Sequence, residues 1–304
     1  MSPQSSRPKW LTLVLVLAPL WLIVSAGFAV HHRVTSEASE EQRPRNQFSR
    51  SISAKEIGDD LRKITTWIGE RHPSGEVPAK NLTRTAAWIE GLLGPSNTGY
   101  VIEKKQAPLQ WPILMAKLPG KDPNKSAVWV ISTYDSKAGS NGIETNSTGL
   151  VASIAAARAL AGSEVNANIH FVFLPHFNDP ESPRMETAAL LKNLIAENPL
   201  PKAVLCIEAM GAQAALQARS RDATLLANLP LHDLATAVEA DPAFLDDNKD
   251  LASVLCEMGL PAARIASRPP LASDEPDDRM PAESTLAQTA IYLTELIKRC
   301  VNSR

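Results

Sequence analysis

Ala127–Leu160, AVWVISTYDSKAGSNGIETNSTGLVASIAAARAL, decides how the rest of the chain is read. Ala127 to Ser132 is a short, apolar, β-branched run of the kind that forms a strand covered on both faces. A polar loop with glycines follows. From about Ser147 the small residues Ala152, Ala155, Ala156, Ala157 and Ala159 predict a helix that packs close to a sheet. Open α/β sheets hold ligands at the carboxyl ends of their strands, so chemistry is sought first between Thr133 and Gly149.

Further strands are predicted on either side of this unit. Asn168–Leu174 reads as another buried strand, Ala203–Ile207 and Pro261–Ala266 as further strands, Tyr100–Gln106 and Ile113–Leu118 as two more, and Ala214–Arg219 as an edge strand. Helices are predicted from Ala54 to about Arg71, from Thr83 to Leu93, and around Met185–Ile195. Three more follow at Leu225–Glu239, Asn248–Met258 and Glu283–Arg299. This alternation predicts one α/β domain over residues 54–304, a mostly parallel twisted sheet with helices on both faces.

Composition narrows the function classes. With 44% hydrophobic residues and a formal net charge of −2 the chain is globular in type. No basic run with interleaved aromatics appears, so a nucleic-acid partner is not expected. Cys206, Cys256 and Cys300 stand alone, which excludes a zinc knuckle or a disulfide framework; the pairing of a single disulfide stays open.

Trp10 to Val30 carries no charge and has the length of a bilayer-spanning helix. Arg7 and Lys9 precede it and Glu37, Glu40 and Glu41 follow, so residues 1–9 are expected in the cytoplasm and the rest outside it. The competing reading is a signal peptide cleaved near Gly27 and Ala29. Residues 31–53 read as a flexible linker, in which His31 and His32 are solvated. The expected localisation is therefore a single-pass membrane protein with an extracytoplasmic domain.

Several phrases in fixed order carry a resemblance: ERHPSG, GYVIEKKQ, ILMAKLPGKDPNKSAVWVISTYDS, NSTGLVASIAAARAL, IHFVFLP, VLCIEAMG and DEPDDRM. Together they resemble the co-catalytic zinc aminopeptidases (peptidase family M-twenty-eight), bacterial leucyl aminopeptidases and glutaminyl cyclases among them. The resemblance implies a zinc-exopeptidase-like fold. It also implies a site where two zinc ions polarise a carbonyl and a free Glu acts as base.

Matched position by position, the implied ligands are mostly absent. Thr133 stands where the first His ligand is expected, and Thr145 where the bridging Asp is expected. Phe177 and Asn178 replace a Glu-Glu pair, and Pro270 replaces the last His if the Asp of the acidic loop is Asp274. Glu208 keeps a ligand position and Asp135 the position that orients the first His; Asp179 or Glu181 are the other placements for the base. One carboxylate does not hold two zinc ions, so no cofactor is expected, and zinc only if displaced ligands make an active metallopeptidase.

Asp135 and His176 remain as catalytic candidates, and Glu208, Thr133, Thr145 and Asn178 as ligand-binding ones. The expected function is a pseudopeptidase, a binding or scaffold module that takes a peptide or protein in its cleft. Ser147 and Thr148 read as helix N-caps. Asp274, Glu275, Asp277 and Asp278 read as a solvated turn, and Asn81 and Asn146 fit glycosylation sequons.

Overall fold

Val128–Thr133 (β3) is the central strand, and all of its residues are buried. It runs parallel to Ile169–Leu174 (β4) on one side and to Ala203–Ile207 (β5) on the other. Ala262–Ala266 (β8) extends the parallel set beyond β5. These strands are mostly apolar because helices cover both of their faces, with His170 in β4 and Arg264 in β8 the buried exceptions among longer side chains. The coordinates, a computed structural model, describe residue 25 and residues 48–240, 250–272 and 275–303.

The sheet is mixed, with four parallel and three antiparallel pairings among the described strands. Ile102–Gln106 (β1) and Pro112–Leu118 (β2) form an antiparallel pair that joins the outer side of β4 antiparallel. Leu216–Ser220 (β6) pairs antiparallel with β8, and Ala235–Ala240 (β7) runs parallel beyond it. The strand order is β1-β2-β4-β3-β5-β8-β6-β7.

Four helices pack against one face: Ala54–Arg62 (α1), Glu76–Leu93 (α2), Thr148–Leu160 (α3) and Glu283–Asn302 (α7). Arg184–Ala196 (α4) and Leu251–Glu257 (α6) cover the other. Between them in the chain lies Ala223–Asn228 (α5). Gly149 lets α3 approach β5, since a Cβ there would lie 2.7 Å from the Glu208 carbonyl oxygen. That close approach brings the loop before α3 to the carboxyl end of β5.

Several expectations are corrected. The predicted helix Leu225–Glu239 ends at Asn228, because Pro230 supplies no N–H, and Asp233 takes a left-handed φ of 62° before β7 begins. β7 is therefore the outermost strand, and β6 lies inside the sheet. The second helix starts at Glu76, with Pro78 in its first turn where the missing N–H costs nothing. Among the described residues no helix is long and apolar enough to cross a membrane. Ser25 apart, the predicted tail, anchor and linker up to residue 47 lie outside the described residues, as does Asp274.

The end of the predicted linker packs on the domain. Ser49 donates a hydrogen bond of 2.8 Å to the Ala159 carbonyl, and Phe48 and Ile52 lie against the core. The cysteines are free thiols. Asn81 and Asn146 are buried and hydrogen-bonded, which leaves neither sequon exposed in the fold.

One core feature sets a pH dependence. His170 on β4 stacks on Trp129 of β3, ring centroids 4.2 Å apart, with neither ring nitrogen hydrogen-bonded. Burial pushes its pKa down to about 4 from the usual 6.5. A base whose folded pKa is depressed costs nothing above the unfolded value; below it, the unfolded chain takes the proton first. Stability contributed by neutral His170 is therefore lost as pH falls from 6.5 toward 4, on the order of 3 kcal/mol at the end of that window. His170→Phe keeps the stacking and removes the proton site, so its urea stability should fall less than wild type between neutral pH and the acid end. Parallel losses in the two proteins would show that this histidine does not titrate between the two states.

Candidate functional site

The chain turns from β3 to β4 on one side, then crosses to β5 on the other, and a pocket opens at the carboxyl ends of β3 and β5. It encloses about 330 Å³, and Thr145, Asn178 and Glu208 line it. Thr133, Asp135 and His176 are buried behind it.

Asp135 holds the loop after β4. Its Oδ2 accepts the backbone N–H groups of Phe177 and Asn178, both at 2.7 Å, and that of Asp179 at 3.3 Å. Its Oδ1 accepts the Asn178 side-chain amide at 2.9 Å. Burial raises the pKa of this carboxyl while the amides pull it down. Asn178 also donates to the Thr133 hydroxyl at 2.7 Å, so Thr133, Asp135 and Asn178 form one buried network. Its carboxylate oxygens are spent on positioning a loop rather than offered to the pocket.

His176 lies apart from that network. Its Nε2 meets the Pro108 carbonyl at 3.0 Å, and its ring stands edge-on to Trp111. Burial lowers its pKa, so the ring is neutral and donates from Nε2, which leaves Nδ1 buried without a partner.

Glu208 follows β5 and is met by an arginine that sequence reasoning missed. Arg264 of β8 is 1% exposed, and its Nε lies 2.5 Å from Glu208 Oε2. A second bond runs from Arg264 Nη1 to the Arg268 carbonyl at 2.9 Å. Burial raises the Glu208 pKa and Arg264 opposes that shift. The signal was present: an arginine inside the apolar strand AARIA must find an anion when it is buried.

Asp277 is the second missed residue. Its carboxylate accepts the backbone N–H groups of Glu144 and Thr145 at 2.5 and 3.1 Å. It also accepts the hydroxyls of Thr145 and Ser140 at 2.7 and 3.0 Å. Glu275 and Glu144 both pair with Arg268. Asp277 is thus folded onto the loop before α3, while Glu275 and Asp278 of the acidic loop are exposed as expected. Asp277 caps that loop, while Ser147 has helical φ and ψ and caps nothing.

Beneath the same loop lies Arg71 of the ERHPSG phrase, fully buried. It donates to the carbonyls of Tyr134, Gly69 and Asn141 at 2.9, 2.6 and 3.1 Å and to the Ser147 hydroxyl at 2.7 Å. His72 beside it is buried, and its Nε2 lies 3.1 Å from Glu70 Oε2.

No family model matches the sequence, and no curated protein is detectably similar to it. Solved structures do match. LapA aminopeptidase of Legionella pneumophila superposes with a TM-score of 0.62 at 16% identity, over 81% of this chain and 72% of that one. Tannerella forsythia glutaminyl cyclase superposes with a TM-score of 0.59 at 14% identity, over 82% of this chain and 99% of its own. A Zn-dependent exopeptidase from Parabacteroides distasonis gives 0.56 at 14% identity, over 82% and 99%.

The chain has a zinc-exopeptidase-like fold. The residues described at the pocket do not fit the two zinc ions that the sequence resemblance implies. Among the described residues no group of three or more His, Cys, Asp or Glu converges to hold a metal. Thr133, Thr145 and Asn178 offer neutral oxygens, weak zinc ligands beside imidazole and carboxylate. Glu208 already faces a guanidinium, which a zinc ion at the same oxygens would have to displace or sit beside.

Proposed function

We propose that this domain is a pseudopeptidase, a binding module that keeps the exopeptidase cleft and has lost its metal chemistry. Residues 10–30 anchor it in a membrane, with the domain on the extracytoplasmic side. The observation that carries the reading is the Glu208–Arg264 pair: the one carboxylate at a matching ligand position is neutralised by a buried cation from the neighbouring strand. The uncharged run Trp10–Val30, with Arg7 and Lys9 before it, supports the anchor.

The site's residues bind and position. Asp135 fixes the loop after β4, Asp277 fixes the loop before α3, and the pocket between them presents Asn178, Thr145 and Glu208 to a ligand. Among the described residues, each carboxylate that lines the pocket is engaged by an arginine or by N–H donors. Full-length protein purified in detergent and incubated with zinc should hold no stoichiometric metal and leave leucine p-nitroanilide uncleaved. Stoichiometric zinc together with hydrolysis that disappears in Glu208→Ala would establish the alternative, an active metallopeptidase with displaced ligands.

A further inference from the structure

Five carboxylates line the pocket among the described residues, and each is engaged. Glu208 meets Arg264, while Glu144 and Glu275 meet Arg268. Asp277 accepts the Glu144 and Thr145 amides, and Asp250 accepts the Ser253 amide at 2.7 Å. Glu208, Glu144 and Glu275 are thereby matched by guanidinium groups, while Asp277 and Asp250 keep their charge and direct oxygens to N–H and O–H donors.

The cations are not balanced in the same way. Lys137 and Arg184 line the pocket, and neither has an ion-pair partner among the described residues. Arg184 is half-buried, its guanidinium carbon 5.3 Å from the centroid of the Phe177 ring. That stacking holds the guanidinium without consuming its N–H donors. A planar fork of donors at a concave, partly dehydrated wall matches a carboxylate in shape and charge. The pocket volume of about 330 Å³ is at the lower end of the range for small-molecule sites, enough for a peptide end or one acidic side chain.

We infer that the pocket binds a peptide carboxylate, received by Arg184 over Phe177, with Lys137 adding a second positive charge. The inference rests on the metal-free reading above and names the ligand class for that site. Two sources carry this chemistry, a C-terminal α-carboxylate and an aspartate or glutamate side chain.

Calorimetry with the full-length protein and three probes separates them: N-acetyl-trialanine, its C-terminal amide, and acetyl-alanyl-aspartyl-alanine amide. A carboxylate-bearing probe should bind and trialanine amide should not. Preference for the first probe assigns a chain terminus, and preference for the third an acidic side chain. Arg184→Gln should weaken binding roughly tenfold. Lys137→Gln, at an exposed position where folding is not at stake, should weaken it less, and added salt should weaken it too.

Equal binding of acid and amide, unchanged affinity in Arg184→Gln, or no binding of either carboxylate probe at millimolar concentration would overturn the inference. These outcomes are separable from the metal test. A zinc-loaded, hydrolytic protein that still prefers carboxylates refutes only the pseudopeptidase reading. An inert, metal-free protein that ignores carboxylates refutes only this one.

Discussion

Replacing Arg71 by methionine is expected to lower the unfolding free energy by about 3–5 kcal/mol, since each buried acceptor left without its donor costs about 1–3 kcal/mol. The guanidinium ties four carbonyls to one another: Ile64 and Gly69 at the end of the first helical segment, Tyr134 after β3, and Asn141 in the loop before α3. Methionine fills a similar length but takes the guanidinium donor from the Tyr134 and Gly69 carbonyls, while Ile64 keeps the Gly69 N–H and Asn141 keeps the Ser147 hydroxyl. Burial pulls the Arg71 pKa down to about 10, with Asp135 and Asp277 opposing the fall, so the side chain stays charged at neutral pH.

Lysine should rescue little. Its single ammonium cannot reach groups that a flat fork spans from several sides. Urea unfolding of the three proteins measures the effect, and a loss below about 1 kcal/mol in the methionine variant would show that water replaces the guanidinium. Because Arg71 holds the floor of the pocket, carboxylate binding should weaken in parallel.

Arg264→Met should cost about 2–4 kcal/mol at neutral pH, a range that allows for the 21% exposure of its Glu208 partner to pocket water. The variant leaves a carboxylate in an enclosed site without its counter-charge, and the already raised Glu208 pKa should climb further. The sign of the pH dependence follows. A carboxyl whose folded pKa lies above its unfolded value is at its most stable when protonated, and that stability is lost as pH rises through the folded pKa. The variant should therefore be damaged most at neutral pH and least near pH 4.5, the ordinary value for this group.

The double variant Glu208→Gln, Arg264→Met should recover part of the loss, since a neutral amide is cheaper to enclose than an unpaired anion. Equal destabilisation at both pH values, or no recovery in the double variant, would mean that lost packing around the arginine stem explains the effect.

The sequence by itself determined the parts whose signal is local. β3, β4, β5 and β8 were legible because strands covered on both faces are predominantly apolar, and β5 matched the expected span Ala203–Ile207. The long terminal helix and the small-residue helix were legible from their patterning, and the carboxyl end of β3 was rightly the place to look for the pocket.

What the tertiary structure alone decided is where each charge finds its partner. Arg264 and Glu208 are 56 residues apart, and Asp277 lies 132 residues from the Thr145 amide that it accepts. No periodicity encodes such distances. β7 was misread for a related reason: ATAVEA carries no strong local preference, and its pairing with β6 supplies the hydrogen bonds that make it a strand. Local sequence sets which backbone shapes are cheap. Which buried charges face each other depends on the sheet order, and it is that order which spends the acids of this pocket and leaves Arg184 and Lys137 to meet a ligand.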